Sequence, residues 1–438
     1  MELNYIHLLL LLVPVTVLYW LLIYKVYDKL EKLYVSIIFW GLYFYGGIGA
    51  SSYEVDKNYT FYFLLFIAAF VFFYRLRYIS FHAVRNQTFY FFRAKSKHLL
   101  EKKSYEKIFI GSYLFVCFLF LVYPDFKVAD LFHPPSPEGV SALISSVESQ
   151  NAQNVDVLSK ILFYVKLLVA PLYFIGLYNY RKKPLLLFVF IFLPLYFDYC
   201  ANNYIGRGMI LMACMLWFFA VYAYNQRLRR PMVIGGIVGI PLLIAFFYSY
   251  SLARLGGDIE VHVDAAVIEQ IFYQEINFPE SFKSVAASGM HVDFFSFLVW
   301  ITTLPIPKVL LGGLIEVPVL NFDLSEIVLG MHRYDDGFWV KLTGYVSESY
   351  YIFGPYFFWI EAFMIAWISK LLFYLLRSIK GTEILIIFIA IQFGFMFSRA
   401  GLGAVLPSFS NGFLLLYAYI ILKLYIFYKE KKLQAQII

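Results

Sequence analysis

The chain has 438 residues, 61% of them hydrophobic and 21% aromatic, with a mean hydropathy of +0.71 and a formal net charge of +7. Apolar residues make up about half of a soluble globular protein, so this composition excludes that class and points to an all-α polytopic membrane protein. Repeated apolar runs suit helices that need roughly 20 residues to span the hydrocarbon, and the period-two alternation of an outer-membrane barrel is absent.

Hydropathy predicts eleven transmembrane helices, near 3–24, 33–50, 59–74, 108–123, 161–180, 184–199, 209–225, 232–250, 355–376, 384–398 and 411–428. The first run lacks a basic flank and a small-residue cleavage site, so it reads as a span and not as a signal peptide. With the N-terminus outside and the C-terminus cytoplasmic, the internal connections hold 23 Lys and Arg against ten outside, and 21 of the 29 acidic residues lie outside. That asymmetry is the positive-inside signature. The net charge is therefore a topology signal, and no nucleic-acid partner is expected. The loop 75–107 mixes aromatic with basic residues and reads as an amphipathic surface helix on anionic lipid.

Three regions follow: an N-terminal bundle of about eight spans (1–250), a large external loop region (251–354), and C-terminal spans with a basic cytoplasmic tail (355–438). Within the loop region, 294–315 is greasy enough to span, yet counting it would invert the last three helices, and Pro305 and Pro307 break it. It reads as a re-entrant or interfacial segment. Prolines 14, 171, 194 and 241 predict kinks within spans. No internal repeat or paired broken spans of the inverted-repeat transporter kind are visible. Cys117, Cys200 and Cys214 lie in or beside apolar runs, and their spacing suggests neither a disulfide framework nor a thiolate metal site.

Arg207, Arg254 and Arg399 sit at outer membrane boundaries, where the topology rule disfavours arginine. A lipid diphosphate headgroup lies at that level, and a guanidinium suits its oxygens; glycines flank each arginine and permit close backbone approach. The plainer alternative pairs Arg207 with Asp198 and Arg254 with Asp258 and lets Arg399 snorkel. In GMHRYDDGF, His332, Arg333, Asp335 and Asp336 supply the ingredients of acid/base chemistry or merely of a solvated loop, with no spacing that matches a metal site. A hydroxyl attacking a lipid diphosphate needs a base or acceptor, and Glu348, Asp335 and His332 are the candidates. Glu361, inside a span, invites a functional reading, with a structural hydrogen bond as the alternative. Soluble-enzyme signatures such as a phosphate-binding glycine loop are missing, which favours substrates taken from the membrane.

The span count with one large late external loop, the stretch SESYYIFGPYFF (347–358), the Arg207-Gly208 and Arg399-Ala400-Gly401 elements and the spacing of Arg333 to Gly344 together resemble the Wzy-type O-antigen repeat-unit polymerases. That resemblance implies a GT-C-like glycosyltransferase of the bacterial inner membrane, active at its outer face without metal or cofactor. Its substrates would be undecaprenyl-diphosphate-linked oligosaccharides, and a chain-length regulator is a candidate partner. Arg254, Arg333, Arg207 and Arg399 would then hold the donor diphosphate, while Glu348 or a residue of the 332–336 cluster would orient or deprotonate the acceptor hydroxyl. Two rivals stay open. An O-antigen ligase-like transferase would give more weight to His291 or His332, and a flippase or transporter of lipid-linked oligosaccharide would place charges within the bundle.

Overall fold

The structure, a computed structural model, describes residues 4–52, 57–76, 103–121, 128, 173–174, 176–202, 207–254, 271–304, 320–333, 335, 338–377 and 381–412. The external loop 124–160 apart from residue 128, most of the expected span 161–180, nearly all of 411–428, the basic tail, Pro305, Pro307, Asp258 and Asp336 lie outside those residues. So does most of loop 75–107.

Among the described residues the architecture is all helix, with no strand. The first bundle helices are α1 (Tyr5–Ile23), α2 (Lys29–Ala50), α3 (Lys57–Arg75), α4 (Lys103–Leu121), α5 (Pro184–Asn202), α6 (Arg207–Tyr224) and α7 (Arg229–Arg254). Shorter helices α8 (Phe278–Ser288), α9 (Phe294–Thr303) and α10 (Leu320–Leu329) follow, and then α11 (Gly344–Phe357), α12 (Trp359–Arg377), α13 (Glu383–Ile391), a π-helical turn at Gln392–Phe397, and α14 (Ser398–Gly412). Six helical stretches are long and apolar enough to cross a membrane, or seven if the α11–α12 pair, bent by 117°, counts as one. That is fewer than the eleven expected. Two expected spans fall mostly outside the described residues, α6 is apolar but short, and α4, at the expected span 108–123, is not among the qualifying stretches; α9, in the segment expected to be re-entrant, is apolar but short as well.

Side-chain caps start three of these helices. Asn4 caps α1 by accepting the His7 N–H, Asp28 caps α2 by accepting the Leu30 N–H, and Asp293 caps α9 by accepting the Ser296 N–H. Each carboxylate or amide satisfies a donor that the first turn leaves unpaired. α8 stops at Gly289, whose φ of 63° is a left-handed cap that favours glycine.

Helices α2, α3, α12 and α13 form the centre. Gly41 and Gly394 press the backbones of α2 and the π turn together: a Cβ on Gly41 would overlap the Gly394 carbonyl, and a Cβ on Gly394 would stand 2.7 Å from the Ile37 carbonyl. Small residues permit this approach where apolar lipid gives helices little reason to associate. At one end of the bundle the Arg377 Nε donates to Asp28 at 2.9 Å, and Tyr374 donates to Glu31 at 3.2 Å. At the opposite end the Asn4 N–H donates to the Ser51 carbonyl at 2.7 Å. Alternating helices thus gather their connections at two ends. α1 and α7 lie outside this core, with Ile6, Leu9, Val13, Ile234 and Ile237 exposed, as suits helices facing hydrocarbon.

Candidate functional site at two broken helices

Two helices break close to one another, and polar residues collect at the breaks. α11 is broken at Gly354 (φ 71°, ψ −178°), followed by Pro355, and the chain bends by 117° between α11 and α12. Glycine reaches the positive φ without strain, and the proline that follows supplies no N–H to continue the ladder. The second break is Gly401 (φ 66°, ψ −159°) within α14, nine residues after Gln392 opens the π turn. π turns are frequent at functional sites.

The segment 344–353, expected in the external loop region, is a helix inside the bundle. Tyr345 is fully buried: its hydroxyl donates to the Leu42 carbonyl midway along α2, and its ring meets Phe66 and Phe397. α11 therefore begins deep in the bundle and climbs toward the Gly354 turn.

Glu348 is 1% exposed and lies against Gly401. The Gly403 N–H donates to its two carboxylate oxygens at 3.1 and 3.4 Å, and a Cβ on Gly401 would overlap Oε2. The break thus frees N–H groups at a new helix start, and Glu348 is the anion that fills it. Glu361 is fully buried; it accepts the Ser349 hydroxyl on Oε2 at 2.7 Å, while Oε1 has no hydrogen-bond partner. The Leu402 N–H lies against both carboxyls.

Two residues before Gly401, the Arg399 Nε donates to Glu275 Oε1, with the guanidinium over the Tyr45 and Phe395 rings. The Arg399 side chain keeps 25% of its surface exposed, and Glu275 keeps 1%. On the other flank, a Cβ on Gly403 would stand 2.8 Å from Asn321 Oδ1, which places the start of α10 at the same spot.

Arg333 is placed apart from that centre, beyond the C-terminal end of α10. It grips Glu326 with Nε and Nη2 at 2.8 and 2.9 Å and Asp323 with Nη2 at 2.6 Å. The hydrogen bonds from Arg333 hold the Glu326 carboxyl below its ordinary range, whereas burial raises Asp323 against the pull of the same arginine. Arg333 itself is pushed up, mainly by Glu326. His332 and Asp335 are exposed; Asp335 Oδ2 accepts the His332 N–H at 2.7 Å, so this carboxylate fastens its own turn. Arg207 opens α6 and Arg254 closes α7; beyond that backbone placement neither is described.

Of the sequence candidates, then, the structure brings Glu348 and Arg399 to one glycine-broken turn, with Glu361 beside them. It sets Arg333, His332 and Asp335 in a second cluster; Arg333 and its carboxylates act electrostatically on Tyr351, one turn after Glu348. Glu275, Ser349 and Asn321 were not foreseen. Among the described residues no three His, Cys, Asp or Glu side chains are grouped as metal ligands. Beside the π turn, an apolar cavity of about 410 Å³ opens among α4, α5 and α6, lined by Phe120, Phe174, Leu195, Met212 and Gln392 among others. Comparison with protein-family models, curated proteins and solved structures finds no match, so the site's own residues carry the functional argument.

Proposed function

We propose that the chain is a membrane glycosyltransferase of the repeat-unit polymerase type. It would transfer a growing glycan from undecaprenyl diphosphate to a lipid-linked repeat unit at the outer face of a bacterial inner membrane, in the eleven-span topology with external N-terminus. The observation that carries this reading is the convergence of Arg399 and Glu348 on the Gly401 break, one keeping a quarter of its surface open and the other fully enclosed. In the proposed step the acceptor hydroxyl oxygen bonds to the sugar's anomeric carbon as the bond from that carbon to the diphosphate oxygen breaks. The departing diphosphate takes the electron pair and is stabilised by guanidinium charge, from Arg399 and, if the α10 cluster swings in, Arg333. The hydroxyl proton goes to one of Glu348, His332 and Asp335. The cavity beside the π turn is apolar, as a lipid-linked substrate requires.

The two broken helices also favour a second reading, transport of lipid-linked oligosaccharide, because transporters build sites at discontinuous helices. Arg399→Lys and Glu348→Gln, scored by glycan length with membrane expression checked, separate the two. Expressed variants that leave only single repeat units on the outer face support polymerisation. Unextended lipid-linked units on the cytoplasmic face support transport and overturn it.

A further inference from the structure

Glu348 and Glu361 form a buried carboxyl pair whose purpose the glycan-transfer reading does not exhaust. Each is at most 1% exposed, and both face the single Leu402 N–H. Glu348 has the Gly403 N–H on its two oxygens, whereas Glu361 has Ser349 on Oε2 and, among the described residues, no hydrogen-bond partner on Oε1. Two ionised carboxylates enclosed beside one N–H repel one another, and the penalty for removing a charge from water falls on both. An acceptor-only oxygen with no donor is costly when buried, but a hydroxyl at that position has a carboxylate to donate to.

Among the described residues, the charged and titratable groups around the pair do not supply the missing positive charge. Arg399 on α14 is engaged by Glu275, and Tyr45 on α2 lies under that arginine. Tyr345 on α11 lies within electrostatic reach of Glu361 and of Tyr59 on α3. On α10, Asp323 and Glu326 are occupied by Arg333. From this geometry we infer that the pair is a proton-binding site: Glu361 carries one proton on Oε1 and donates it to the Glu348 carboxylate, at the joint between the two broken helices. Ser349 then donates to the carbonyl oxygen of the acid, and the Leu402 and Gly403 N–H groups hold the remaining negative charge on Glu348. The ligand is a proton, and its loss or gain changes the charge at the joint that α11, α12 and α14 share. This inference stands on burial and hydrogen bonding and does not depend on the chemistry proposed for the outer face.

The test is infrared spectroscopy of the purified full-length protein in lipid at neutral pH. A carboxylic-acid C=O stretch corresponding to one protonated group per chain is expected, shifting on exchange into deuterated water. Glu361→Gln should remove it. Ser349→Ala leaves both carboxyls in place and deletes only the hydrogen bond to Oε2, so the same band should persist at higher frequency. No acid band in the parent at neutral pH overturns the inference, as does a band of undiminished intensity in Glu361→Gln or an unshifted one in Ser349→Ala. The parent spectrum and the serine variant keep the test decisive should the Glu361 variant fail to fold, and none of these readings requires the protein to polymerise anything.

Discussion

Gly401 shows how closely single residues are specified here. Alanine at that position would have to hold a positive φ and put its methyl group where Glu348 Oε2 lies. The backbone term alone costs about 1–3 kcal/mol, and displacing a buried carboxylate adds to it. Gly401→Ala should therefore lower the thermal midpoint in detergent and abolish glycan extension; a variant that melts with the parent would show that Glu348 does not depend on the break. Arg399 is specified by its partner. Arg399→Ala strands the enclosed Glu275, and removing one member of a buried pair costs about 3–5 kcal/mol. The partial exposure of Arg399 places its cost toward the lower end. A double variant, Arg399→Ala with Glu275→Gln, should recover stability without recovering activity. Recovered activity would show that Arg399 serves the fold alone. Sequence reasoning reached Arg399 because an arginine at an outer boundary violates the charge rule, and Glu348 because of the motif around it. It missed Glu275 because an acidic residue in a region rich in external acids stands out by no rule; only burial beside Arg399 distinguishes it.

At the scale of elements, hydropathy found the apolar helices and misplaced α11. Ser347, Glu348 and Ser349 lower the hydropathy of that stretch, so it reads as solvated loop, yet all three are buried. Two of the three find partners on other helices, Glu348 on Gly403 and Ser349 on Glu361, and a hydropathy window cannot register such pairing. The glycine contact between α2 and the π turn is equally invisible from one segment alone. Gly41→Ala should separate those backbones and lower expression and melting temperature sharply, beyond the roughly 1–3 kcal/mol typical of overpacking; a folded variant of unchanged stability would contradict that contact. The α10 cluster predicts a pH response. Because the folded Glu326 carboxyl is held below its ordinary value of 4.5, it contributes stability that is present above 4.5 and lost as pH falls through the lower folded value. Asp323, raised by burial, acts with the opposite sign and weakens stability as pH rises through its folded value. Glu326→Gln should therefore flatten the acid side of the melting curve against pH. An unchanged acid limb would mean that Arg333 does not hold Glu326 in solution.

For the whole molecule, the bundle places the Asp28, Arg377 and Glu31 contacts at one end and the Asn4–Ser51 contact at the other, and the proposed topology has the first of these facing the cytoplasm. In the proposed function the turn at Gly401 lies at the external end and joins donor diphosphate to acceptor glycan. Its most direct test is the purified chain in lipid vesicles, supplied with an undecaprenyl-diphosphate-linked oligosaccharide, with product length read by mass spectrometry for the parent and for Arg399→Lys. Multimers of the repeat unit are expected from the parent and almost none from the variant, since an ammonium cannot reproduce the guanidinium fork. Substrate that stays one repeat long with the folded parent, or that only changes leaflet, would contradict it.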